Sequence, residues 1–125
     1  MSKQIIKYLL LAVVIASCKT PAGKARLTIS NPAVNLSTIR FDSSCNIRYT
    51  MINTGEEALV IDTVTASCGC TMPAITRYTI QPMDSAELMV RFKPPDTGAF
   101  NKKVVIKNNT DSVFTVVSFY GIAQK

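Results

Sequence analysis

The chain has 125 residues, enough for one domain, with 14 basic and 8 acidic side chains and a formal charge of +6. Taking Lys3 and Lys7 away with the N-terminal leader lowers that to about +4. The remaining bases are scattered (Arg40, Arg48, Arg77, Arg91, Lys102-Lys103) and do not form the dense stripe that a phosphate backbone requires, so nucleic acid is not expected as a partner. Histidine is absent throughout, which excludes Ser-His-Asp and Cys-His catalysts and removes the commonest zinc ligand, and no enzyme activity is expected.

Lys3 and Lys7 precede the apolar run Tyr8 to Ala16, which is shorter than the ~20 residues that cross a bilayer and fits a secretory leader. The following Ile15-Ala16-Ser17-Cys18 resembles the lipobox of bacterial lipoproteins. That resemblance implies residues 1–17 as a cleaved signal peptide and Cys18 as the lipidated N-terminus. Residues 18–26, with Pro21 and Gly23, then form a flexible tether. Lys19 follows the cysteine with no Asp next, and no acidic run appears. The expected location is therefore the bacterial envelope, on the periplasmic face of the outer membrane.

From residue 27 to 125 the pattern is two-residue alternation, expected to build an all-β, immunoglobulin-like sandwich of about seven to eight short strands, with a small barrel as the alternative. Leu27 to Ile29 starts it. Val34, Leu36, Ile39 and Phe41 suggest an irregular second strand after Asn31-Pro32. Cys45, Ile47, Tyr49 and Met51 alternate with polar residues up to a turn at Asn53 to Glu57, and residues 58–65 resume. Tyr78 and Ile80 mark a weak strand. Ala86, Leu88, Val90 and Phe92 give the cleanest alternation. Pro94 to Gly98 is a loop, and residues 103–107 and 113–122 flank a hairpin turn at Asn108 to Asp111. The last strand is apolar on both faces and is expected to be central or covered.

Concentrated chemistry occurs at Cys68-Gly69-Cys70, closed by Pro73. Antiparallel counting about residue 55 places Cys45 near this loop, at one pole of the sandwich. Besides Cys18 there are three cysteines, hence one disulfide and one spare in an oxidising compartment. Closing the 24-residue span from Cys45 to Cys68 is worth about 3.4 kcal/mol, against about 1.6 kcal/mol for Cys68–Cys70. Stability favours a Cys45 bridge, whereas the tight ring would be the labile one. The loop has three readings: a structural turn, a Cu(I) or Zn(II) site using Cys68, Cys70, Cys45 and Met72, or a thiol–disulfide pair. Three thiols without histidine do not make a closed zinc site, and no helix N-terminus stands by to lower a thiol pKa.

Ile52-Asn53-Thr54-Gly55, Leu59-Val60-Ile61 and Ala66 to Pro73 resemble the DUF1573 family of bacterial envelope proteins, as do Ile80-Gln81-Pro82, Val90-Arg91-Phe92, residues 98–102, Ile106 to Asn109 and Tyr120-Gly121-Ile122. The resemblance implies a sandwich of the major-sperm-protein and ASH type, of uncharacterised molecular function, with Cys68 and Cys70 on signature positions. Pro82-Met83-Asp84 departs from the family's Pro-Gly-acid, so another turn type is expected there. Together these readings point to a binding or assembly module whose partner is another envelope protein, met through an exposed edge strand. A redox protein and a soft-metal lipoprotein are the alternatives.

Overall fold

The structure is a computed structural model that describes residues 23–125. The expected signal peptide, Cys18 and most of the tether lie outside the described residues. The described residues form nine strands: β1 (Leu27–Ile29), β2 (Ala33–Arg40), β3 (Cys45–Asn53), β4 (Leu59–Ala66), β5 (Thr71–Ile75), β6 (Thr79–Ile80), β7 (Ser85–Phe92), β8 (Gly98–Asn108) and β9 (Phe114–Gln124). They make two sheets, ordered β1-β3-β7-β5 and β2-β9-β8-β4-β6, so the architecture is a sandwich and the barrel alternative falls. Two strands more than the lower expectation arise because Pro73 disguised β5 and the weak Tyr78 region became β6.

The period-two pattern does the folding. On β3, Ile47, Tyr49 and Met51 are buried while Asn46 and Arg48 are exposed. On β7, Ala86, Leu88, Val90 and Phe92 are buried in the same way. From the other sheet Leu59, Ile61, Val104, Ile106, Val117 and Phe119 close the core. Phe92 anchors it, its ring centroid 4.9 Å from both Phe100 and Phe119. Residues 45–53 and 58–65 do not pair as a hairpin: β4 crosses to the facing sheet, because β7 already occupies the edge of β3. Near the start, the chain changes sheets at Asn31-Pro32. β1 climbs antiparallel to β3, and β2 continues in the same direction parallel to β9.

One further tie joins the sheets. Tyr49 Oη donates a 2.6 Å hydrogen bond to the Ser118 carbonyl of β9, and burial pushes the phenol up to about 12. A raised folded-state pKa means that the unfolded chain ionises first as pH rises. Stability is therefore complete below pH 10 and declines between 10 and about 12, by on the order of 1–2 kcal/mol. Tyr49→Phe is expected to flatten that decline relative to the parent while losing about 1 kcal/mol at neutral pH. Urea midpoints of both proteins at pH 9 and 11 check it.

The Gln81–Asp84 turn corrects an expectation. Asp84 N–H donates to the Gln81 carbonyl at 3.0 Å, Pro82 stands at the second position and Met83 at the third with φ 66°. That is the type II turn of the Pro-Gly sequence, kept with methionine in a left-handed conformation that glycine adopts freely. The turn survives because its flanks are fixed: Asn53 N–H donates to the Asp84 carbonyl at 3.1 Å, Met83 N–H donates to the Asn53 carbonyl at 2.8 Å, and Asp84 binds Arg77 at 2.8 Å. Met83 is 84% exposed, so little packing opposes its removal. Met83→Gly is expected to raise stability by about 0.5–1 kcal/mol, the relief of left-handed strain exceeding glycine's entropy loss, as read from the thermal midpoint.

Candidate functional site

The Cys68-Gly69-Cys70 turn is where the chain leaves β4 in one sheet for β5 in the other. Thr71 N–H closes the turn on the Cys68 carbonyl at 3.2 Å, and Lys93 N–H ties the Cys70 carbonyl at 3.1 Å. Cys68 and Cys70 are joined as a disulfide with their Cα atoms 5.4 Å apart. Pro73 fits within β5 because β5 is an edge strand, where a missing N–H disrupts no ladder.

Cys45 is at the same pole, as the register argument expects. It faces Phe92 across β3–β7, and Phe92 faces Thr71 across β7–β5. Yet it is a free cysteine, so the stability argument for a Cys45 bridge is overturned. The reason is topological. With β7 interposed, Cys45 is two strand spacings from the start of β5, about 10 Å, past the ~7 Å reach of a disulfide. Its half-buried thiol packs on the core and burial pushes its pKa up, which makes it a poor nucleophile.

The four soft-metal candidates do not converge. Cys45 shares the inner face with buried Phe92, whereas Met72 is exposed on the outer face beside Arg91. Cys68 and Cys70 are consumed in their bond. Among the described residues no three His, Cys, Asp or Glu groups are placed to hold a metal ion.

A groove of about 760 Å³ opens beside the disulfide, with Cys70, Met72, Arg91, Lys93, Phe41 and Pro94 among its walls. Cys70 borders it and Cys68 does not. Its one carboxylate, Asp42, is held by Arg40 through two bonds of 3.0 and 2.9 Å, and the Arg40 hydrogen bond keeps its carboxyl below the usual range. Among the described residues Arg91 and Lys93 make no ion pair with a carboxylate, so the groove is positive next to the sulfurs. Sequence reasoning missed Arg91, Lys93 and Thr71 as site residues. Arg91 and Lys93 flank Phe92 on outward positions of the cleanest strand, but their approach to Cys70 becomes readable only once β5 is seen to pair with β7.

A second surface lies on the outside of the five-stranded sheet. β9 sits between β2 and β8 as expected, but its outer face is not covered: Phe114, Val116, Tyr120 and Ile122 are exposed. Beside it runs the open edge of β2, bulged between Asn35 and Thr38 with Ser37 at φ 56°. The bulge presses its Ser37 carbonyl toward β9, where a Cβ on Gly121 would come within 2.7 Å of that oxygen, so only glycine fits there. Between bulge and β9 is a recess of about 480 Å³ bordered by Thr38, Phe100, Tyr120 and Ile122.

The sequence profile of a family described as protein of unknown function (DUF1573) matches residues 27–123. The chain belongs to this family. No functionally curated protein matches it. The fold of this DUF1573 protein is similar to a Porphyromonas gingivalis W83 protein of unknown function at 14% identity (TM-score 0.73). The alignment covers 84% of this chain and 50% of that one, so the chain spans half of that protein's length. It is also similar to the ASH/PapD-like domain 7 of human CEP192 at 10% identity (TM-score 0.59), covering 90% and 92% of the two chains. The Caenorhabditis elegans major-sperm-protein family member WR4 matches at 13% identity (TM-score 0.53), covering 81% of this chain and all of that one. At these identities the likeness concerns the fold of the DUF1573 domain, an immunoglobulin-like sandwich of the kind that the sequence resemblance implies.

Proposed function

We propose that this protein is a lipid-anchored binding or assembly module of the bacterial envelope, tethered through Cys18 on the periplasmic face of the outer membrane, and that it recruits another envelope protein along β2. The edges of the two sheets carry this reading. β1 has three residues, β6 has two and β5 contains Pro73, whereas β2 offers eight residues with one side unpaired among the described residues. Main-chain groups on such an edge bind an added strand, and alternate side chains of that strand find a surface. Here the surface is the apolar row Tyr120 and Ile122 with the recess at the Ser37 bulge. The occupant is an extended segment of a second envelope protein with apolar residues at every other position. The lipobox-like Ile15-Ala16-Ser17-Cys18 supports the anchor.

Photo-crosslinking in intact cells tests the reading, with the reactive residue at Thr38 on β2 or at Thr28 on β1. A discrete adduct from Thr38, missing from Thr28 and lost when Ile122→Glu is added, is expected. In the same strain, Cys18→Ser is expected to abolish palmitate labelling and release the protein from the membrane fraction. Equal adducts from both positions, no adduct, or indifference to Ile122→Glu would sink edge recruitment.

A further inference from the structure

We propose that the Cys68–Cys70 disulfide is an exchange site for a reduced protein dithiol with acidic flanking residues, and that Cys70 is the sulfur attacked. This goes beyond the recruitment reading and does not depend on it, since it concerns a different face of the molecule.

Three observations converge. The groove is bordered by Cys70 and not by Cys68, so although both cysteines are half-buried and Cys70 also packs against the core, a nucleophile seated in the groove meets Cys70. Arg91 and Lys93 line the same groove with no direct ion pair among the described residues. The groove's one carboxylate, Asp42, is bonded to Arg40 and feels Lys93 only at longer range, so the net positive charge favours an approaching thiolate and acidic residues around it. Thr71 is the third. Its side chain is buried, and its hydroxyl lies 3.8 Å from both Cys68 Sγ and Cys70 Sγ. Among the described residues that hydroxyl has the two sulfurs as its hydrogen-bond partners. A disulfide sulfur is a weak acceptor and a thiolate a strong one. The hydroxyl is thus a donor that gains a good partner only when the bond opens, whichever sulfur carries the charge.

A substrate thiolate attacks Cys70 Sγ, the Cys68–Cys70 bond breaks, and Cys68 leaves with the electron pair, accepting from Thr71 Oγ1. The substrate's second thiolate then attacks the substrate sulfur of the mixed disulfide and displaces Cys70. Two electrons pass from the substrate dithiol, which becomes a disulfide, to the cysteine pair. The pair takes up the two protons that the substrate thiols release. Exchange with a second protein disulfide restores the starting state.

The test uses the purified full chain, single-cysteine peptides with acidic or basic flanks, and glutathione as the redox probe. Acid quench and peptide mapping are expected to locate the adduct on Cys70 at least tenfold over Cys68. Arg91→Gln with Lys93→Gln is expected to slow the acidic peptide about tenfold at low salt, not the basic one, and the difference is expected to fade at high salt. Thr71→Val is expected to shift the Cys68/Cys70 glutathione equilibrium toward the disulfide about tenfold, or about 30 mV, and Thr71→Ser to restore it. Adduct chiefly on Cys68, rates blind to peptide charge, or an equilibrium unmoved by Thr71→Val while Thr71→Ser and the parent agree would each overturn the proposal.

Discussion

Asn53→Ala is expected to lower the unfolding free energy by about 3–4 kcal/mol, enough to unfold a large fraction of a domain of ordinary stability. Asn53 is fully buried at the end of β3, and its amide is shared out completely. Nδ2 donates to the Glu57 carbonyl at 2.7 Å and to the Ile80 carbonyl at 2.9 Å. Oδ1 accepts from Gly55 N–H at 3.0 Å and from Arg26 N–H at 3.4 Å. One side chain therefore joins the segment before β1, the turn after β3, and the end of β6. Alanine leaves two carbonyls and two amides facing a dry gap, and each stranded group costs about 1 kcal/mol. Asn53→Asp is the sharper control. It is nearly isosteric but offers oxygen where both carbonyls need a donor, so it is expected to do no better than alanine. Urea denaturation of the three proteins at pH 7 decides the matter, and an aspartate variant close to the parent would show that shape, not donor pattern, holds the turn.

Phe92→Ala is expected to cost about 3–5 kcal/mol, with a local signature as well as a global one. The ring touches Phe100 and Phe119 across the core, and its backbone lies between Cys45 on one side and Thr71 on the other. Emptying it removes the floor beneath the disulfide turn. Hydrogen exchange at residues 68–72 is expected to accelerate beyond what the global loss explains, whereas Phe92→Leu, which keeps most of the volume, is expected to spare both stability and exchange by comparison. Uniform acceleration across the sandwich would show the turn to be independent of that floor.

How much of this was readable beforehand depends on which physical signal each element carries. β3 and β7 are half-buried and alternate cleanly, so their faces were legible residue by residue. β5 was not, because Met72-Pro73 reads as a breaker unless the strand is known to lie at an edge. The first half of β8 was hidden behind Pro94 to Gly98; there Phe100 is the one apolar residue on the inward face, which Lys102 shares, too little for a period. Met83 kept a glycine-like turn that its residue type argues against, since the flanking contacts outweigh a local preference. For the site, Cys68 and Cys70 stood out by spacing alone. The choice of disulfide partner required knowing that β7 separates Cys45 from the turn. Loop-closure entropy describes the unfolded chain and cannot register such a separation. The family motifs Asn53-Thr54-Gly55 and Asn108-Asn109 prove to be turn anchors: Gly55 packs against the Lys24 carbonyl, and Asn108 accepts from Thr110 N–H at 3.0 Å.

The sheet switch at Asn31-Pro32 has a mechanical consequence. Gly23 lies beside Glu56 at one pole, and Gln124 pairs with Arg40 at the other, so the described ends are separated by roughly the 27 Å length of β3. A load applied between those ends runs along the strand axes. It meets the parallel β2–β9 ladder broadside, loading its hydrogen bonds together in shear, whereas an antiparallel hairpin pulled at its open end yields one bond at a time. A domain wired this way resists being drawn out between two attachments and gives way far more easily when peeled from a single corner.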